Sequence, residues 1–111
     1  MGEINKYQTY IEDILSQYAQ YTPAYGDIEM QTVIDRERNH YQLMTVGWNK
    51  YHRIRGCVIH VDIKNNKIWI QHDGTKHGIA NEFVEKGVPK DDIVLAFHPP
   101  YKRQYTGFAV D

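Results

Sequence analysis

The sequence predicts an α+β fold: an antiparallel meander of strands packed against a long N-terminal helix, with a short second helix and a C-terminal strand or tail. Three observations predict it. Apolar residues recur at helical spacing near the start of the chain, runs rich in β-branched and aromatic residues come after them, and Asn65-Asn66 supplies a two-residue turn between two of those runs.

Within residues 4–21 the apolar positions Ile4, Tyr7, Ile11, Ile14, Leu15 and Tyr18 fall mainly three or four apart, which draws one stripe along a helix. Glu3, Lys6, Glu12, Asp13 and Gln17 fall on the other side. Pro23 and Gly26 then close the helix, since proline has no amide hydrogen and glycine tolerates the angles of a turn. Residues 28–35, 40–48 and 53–64 read as strands, each bounded by polar turn residues, and residues 67–73 as a fourth. Residues 78–85 read as a short helix stopped by Gly87 and Pro89, and residues 93–97 as a last strand.

The Asn65-Asn66 turn sets a register in which Lys64 pairs with Lys67. Ile63 then faces Ile68, Val61 faces Ile70 and Ile59 faces His72, so these six share the core side of the sheet. Asp62, Trp69, His60 and Gln71 fall on the opposite side, where an indole among polar neighbours suits a dimer contact. The first helix covers the apolar side, because its stripe needs an apolar surface and no other helical segment is as long.

The length and charge balance narrow the function classes. The chain has 111 residues, which predicts one domain over residues 1–111, and 13 Lys plus Arg nearly cancel 14 Asp plus Glu. A near-neutral molecule has no overall field to draw it to nucleic acid or an anionic membrane, so any such contact needs a local patch. One cysteine, Cys57, excludes an internal disulfide and suits the reducing cytoplasm. No apolar stretch approaches the ~20 residues of a membrane span, the first residues lack the pattern of a secretory leader, and Lys6 argues against myristoylation of Gly2.

No constellation for catalysis emerges. Six histidines invite a metal reading, yet their spacing fits no ligand motif, and the register above puts His60 and His72 on opposite sides of the sheet. His60 with Asp62 starts a site without a third ligand. Cys57 sits among Val58, Ile59 and Val61, which reads as a small buried hydrophobe rather than a thiolate nucleophile. Ser16 lacks a glycine elbow, Asp91-Asp92 reads as a solvated turn, and no glycine-rich phosphate loop occurs. Catalytic, cofactor and metal residues are therefore expected to be absent, and the chain is expected to work by binding.

The strongest binding candidate is the tail, His98-Pro99-Pro100-Tyr101-Lys102-Arg103-Gln104-Tyr105, with Phe108 beyond it. Paired prolines favour an extended backbone that displays tyrosines and basic residues, types enriched at binding hot spots. Three readings stay open: the tail packs across its own sheet, it docks a protein partner, or Lys102 and Arg103 with the tyrosines track a nucleic-acid backbone. Arg36, Arg38, Arg53 and Arg55, near the turns of the first strands, form a second basic group for the nucleic-acid reading. Partner-binding candidates are Tyr101, Lys102, Arg103, Tyr105, Phe108, Trp69 and His60.

Residues 87–109, GVPKDDIVLAFHPPYKRQYTGFA, resemble the closing signature of the XisI-like family, the fdxN element excision controlling factors. Residues 18–27 (YAQYTPAYGD), 35–48 (DRERNHYQLMTVGW) and 56–71 (GCVIHVDIKNNKIWIQ) agree with it, so the resemblance covers nearly the whole chain. It implies a part in site-specific excision of a DNA element that interrupts a nitrogen-fixation gene during heterocyst differentiation in cyanobacteria, alongside a recombinase and a companion protein, XisH. It implies no catalytic residues. The residues themselves show neither excess positive charge nor a helix-turn-helix, which favours a non-enzymatic factor acting through protein contacts, with homodimerisation expected, over a direct DNA binder.

Overall fold

A helix with one apolar stripe and a sheet with one apolar face bury most when laid on each other, and the computed structural model of the chain has that arrangement. It describes residues 2–111, with side chains from residue 4 onward, so the outward position expected of Glu3 lies outside them. In order, α1 (Gly2–Tyr18), β1 (Asp27–Asp35), β2 (His40–Asn49), β3 (His52–Lys64), β4 (Lys67–Asp73), α2 (Ile79–Glu85), a 3-10 turn (Lys90–Asp92), β5 (Ile93–Leu95) and α3 (Pro100–Arg103) make up the chain. The strands form one sheet in the order β1-β2-β3-β4-β5. The first four make the expected meander, whereas β5 runs parallel to β4, because the crossover through α2 returns the chain to the same end of the sheet.

The core lies between one sheet face and the two longer helices. Tyr7, Ile11, Ile14 and Leu15 of α1 meet Tyr41, Leu43, Ile59, Val61, Ile63, Ile68 and Ile70, with Ile79 and Phe83 of α2 completing the cluster. Burying each large aliphatic side chain contributes roughly 1.5–3 kcal/mol. Two hydroxyls tie the helices to distant segments: Tyr7 Oη donates to Asp92 Oδ2 at 2.5 Å, and Tyr18 Oη to Glu82 Oε2 at 2.6 Å. Asp92 is thus a half-buried acceptor rather than a solvated turn residue.

Asn65 (φ 53°) and Asn66 (φ 64°) make the hairpin turn, and Lys64 pairs with Lys67, Ile63 with Ile68 and Val61 with Ile70 as expected. Beyond Val61 the expected register fails. A bulge shifts the pairing between His60 and Val61, so Ile59 lies opposite Asp73 and His60 opposite His72. The two histidines therefore share a face, contrary to the uninterrupted alternation, because the extra residue Gln71 turns β4 over by one step. A second bulge lies between the Leu43–Ile59 and Met44–Cys57 pairs, with Val58 the extra residue. It places Arg53, Arg55 and Cys57 on the face away from α1, so Cys57 is half-buried there and not in the core. Gly47 meets β1 so closely that a Cβ would stand 2.0 Å from the Asp27 carbonyl oxygen. Among the described residues no helix is long and apolar enough to cross a membrane.

Candidate functional site

The tail is both folded onto its own sheet and open to an outside partner. Ala96 N–H donates to Ile70 O and Ala109 N–H to Ile93 O, each at 2.9 Å, and Ala109 bridges Val94 in parallel, so both ends of the segment are stitched to the sheet edge. Between them the paired prolines do not extend the chain as expected. Pro99 is extended, but Pro100 opens α3, since its fixed φ suits a first helical position and its missing N–H costs nothing there.

Arg103 is the clamp of this segment. Its Nε donates to His98 O at 3.0 Å, its Nη1 to Val110 O and its Nη2 to Ala96 O at 3.4 Å, and its guanidinium carbon lies 5.6 Å from the Trp69 ring centroid. Trp69 is 8% exposed, packs with Val94 and Ala109, and donates its indole N–H to Lys64 O at 3.0 Å. Arg103 and Trp69, both expected at an intermolecular contact, thus hold the tail to the sheet. Phe108 is half-buried against the main core with Lys90 Nζ 5.7 Å above its ring.

Outward, this clamp presents a groove of about 610 Å³ lined by Leu95, His98, Tyr101, Lys102, Tyr105 and Thr106. Tyr101 is 68% and Tyr105 81% exposed. Two phenol rings and a leucine give an apolar floor, while Lys102 and His98 supply positive or donor groups and no carboxylate lines it. Such a groove suits an apolar anchor flanked by an acceptor or an anion.

The other candidates are dispersed. Arg36 Nε pairs with Glu12, and Arg38 Nη1 lies 3.4 Å from Asp35, whose carboxyl is held below its usual range first by the Arg38 backbone N–H. Arg53 and Arg55 start β3 at the opposite end of the sheet, eight register steps or roughly 25 Å away. The arginines near the first turns therefore do not form one basic patch, and neither pair adjoins Lys102. Sequence spacing grouped residues that the hairpins separate.

His60 belongs to a hydrogen-bonded cluster. Asp62 Oδ1 lies 2.9 Å from His40 Nδ1 and 3.1 Å from His60 Nε2, and Oδ2 accepts from Gln71 Nε2 at 3.3 Å. Two imidazole donors share one oxygen. Among the described residues no group of three His, Cys, Asp or Glu side chains is disposed to hold a metal ion. The Cys57 thiol is pushed up from its ordinary pKa by burial, opposite to what a nucleophile needs.

Two structural residues escaped the sequence reading. Gln8 Nε2 donates to Asn39 Oδ1 at 2.7 Å and to Arg36 O at 3.1 Å, pinning the β1–β2 turn to α1. Asp73 accepts from Thr75 and, at 2.8 Å, from the Ile79 backbone N–H, so it positions the start of α2 from six residues away. An Asp at a strand end followed by Gly-Thr was the available signal for the second.

The family model for the XisI protein matches residues 1–110. The chain belongs to the XisI family. Its fold and that of a XisI-like protein from Anabaena variabilis ATCC 29413 superpose with a TM-score of 0.91 at 48% identity, over 97% of this chain and 99% of that one. The crystal structure of the fdxN element excision controlling factor XisI from the same organism matches with a TM-score of 0.86 at 31% identity, over 98% of this chain and 99% of that one. No curated protein matches. Both of these solved structures thus match this fold over nearly its whole length.

Proposed function

We propose that this XisI-family protein is a non-enzymatic accessory factor in the control of site-specific excision of a DNA element, acting in the cytoplasm by docking a XisH-like companion protein and, through it, a recombinase complex. The observation that carries this reading is the match along nearly the whole chain to an fdxN element excision controlling factor at 31% identity. The Tyr101–Lys102–Tyr105 groove supports docking as the mode of action, because it offers exposed aromatic anchors on a segment held rigid by Arg103, which lowers the ordering cost of association. The dispersal of the arginines supports protein contacts over direct DNA binding, since phosphate tracking needs adjacent cations.

Co-purification tests it. The unsubstituted chain is expected to retain the companion at micromolar concentration, and a variant carrying Tyr101→Ala and Tyr105→Ala is expected to lose at least ten-fold in retention, about the loss of one hot-spot side chain, with an unchanged circular dichroism spectrum. No retention by the unsubstituted chain, or equal retention by both, counts against the reading.

A further inference from the structure

The face of the sheet away from α1 is covered by the tail only near Trp69. Across β1, β2 and β3 the same face is open, and its centre is apolar where an ordinary solvated antiparallel face is polar. Met44, Val46 and Trp48 point outward along β2, and Trp48 is 51% exposed. The flanks carry opposite charge. In register with Trp48 lie Asp27 on β1 and Arg53 on β3, and in register with Val46 lie Glu29 on β1 and Arg55 on β3, all four of them exposed. An apolar stripe thus runs between an acidic and a basic column.

We infer that this face is the contact surface for a second copy of the chain, packed sheet on sheet about a two-fold axis parallel to the strands. That axis lays β2 on β2 and β1 of each copy on β3 of the other, so Asp27 and Glu29 meet Arg53 and Arg55 of the second copy twice over. The alternative two-fold axis, perpendicular to the strands, lays β1 on β1 and sets carboxylate against carboxylate. The charge columns therefore select one operator. The bulge at Val58 makes this possible, since it turns both arginines to the side of Trp48. Three strands about 4.8 Å apart and nine residues long present roughly 14 by 30 Å per copy, so the pair buries on the order of 900 Å². That is below the standard size of specific interfaces, so the dimer is expected to be weak and reversible. The inference uses a different face from the companion groove and does not rest on the excision role.

Sedimentation velocity from low to high micromolar concentration tests it. The unsubstituted protein is expected to pass from monomer to dimer. Glu29→Arg and Arg55→Glu, each on an exposed position, are expected to raise the dimer dissociation constant at least ten-fold, and the two together to restore it. Trp48 emission supplies a second reading on the unsubstituted chain, moving to shorter wavelength as concentration rises while Trp69 is already buried. A monomer at every concentration, a dimer indifferent to either swap, single losses without mutual rescue, or emission constant through dimer formation each overturns the inference.

Discussion

Arg103 lies against the ring of Trp69, thirty-four positions earlier in the sequence, while its guanidinium nitrogens reach the carbonyl oxygens of Ala96, His98 and Val110. One side chain thus adds several partners at once to the backbone bonds that stitch the tail to the sheet. Arg103→Ala is expected to lower stability by about 1–3 kcal/mol, the usual worth of hydrogen bonds to a charged group with a ring contact, and to speed exchange of the Ala109 amide hydrogen. Arg103→Lys should recover little, because an ammonium cannot place three donors in a planar fork. Urea unfolding followed by tryptophan emission checks both.

Alkaline stability should depend in part on Tyr18. The Tyr18 phenol is pushed up to about 12, first by its hydrogen bond to Glu82 and then by burial. Below the ordinary phenol pKa of 10.0 it is protonated in folded and unfolded chains alike, and its contribution is fully present. As pH rises from about 10 toward 12 the unfolded chain gives up that proton first, so stability falls across this window. Tyr18→Phe is expected to flatten the fall, measured as thermal midpoint against pH, and to remove one late step from the ultraviolet titration of the nine tyrosines.

Two glycines on facing strands should respond unequally to alanine. At Gly47 the new Cβ would stand 2.0 Å from the Asp27 carbonyl oxygen, so β1 must leave β2 or the strand must bend. At Gly56 the nearest atom is Thr45 Oγ1 at 3.6 Å, an ordinary contact. Gly47→Ala is expected to cost about 3 kcal/mol or more and to deprotect the β1 amides, whereas Gly56→Ala should change stability by less than about 1 kcal/mol. Denaturant midpoints and hydrogen exchange distinguish them.

Tyr7→Phe isolates the link between α1 and the 3-10 turn. Removing the hydroxyl leaves the half-buried Asp92 carboxylate without that donor, for an expected loss of roughly 1–3 kcal/mol. Adding Asp92→Asn to it should cost less than the sum of the two single changes, which a double-mutant cycle in urea measures.

Local pattern made α1 and the four meander strands legible, because Tyr7, Ile11, Ile14 and Leu15 repeat at helical spacing and Asn65-Asn66 states its own turn. The features that stayed hidden depended on partners far along the chain. The bulges at Val58 and Gln71 leave no mark in composition, yet each exchanges the inward and outward positions of the strand residues on one side of it. The direction of β5 is set by where α2 returns the chain, and Pro99-Pro100 reads as extended until Pro100 is seen opening α3. The candidate site was legible as a set of side chains, Tyr101, Lys102 and Tyr105 among them, and not as a division of labour. That Arg103 faces inward while its neighbours face outward is decided by the positions of Trp69 and of the Ala96, His98 and Val110 carbonyls.

The bulge at Val58 makes β3 a ribbon with a half-turn in it: odd-numbered residues before it look away from α1, and odd-numbered residues after it look toward α1. Within either half, a change of length keeps this parity only if it is even. Val58 is the exception, because deleting it alone removes the extra residue, restores plain alternation and leaves Arg53 and Arg55 looking outward. A tolerated single-residue shortening of this strand would therefore have to fall at the bulge.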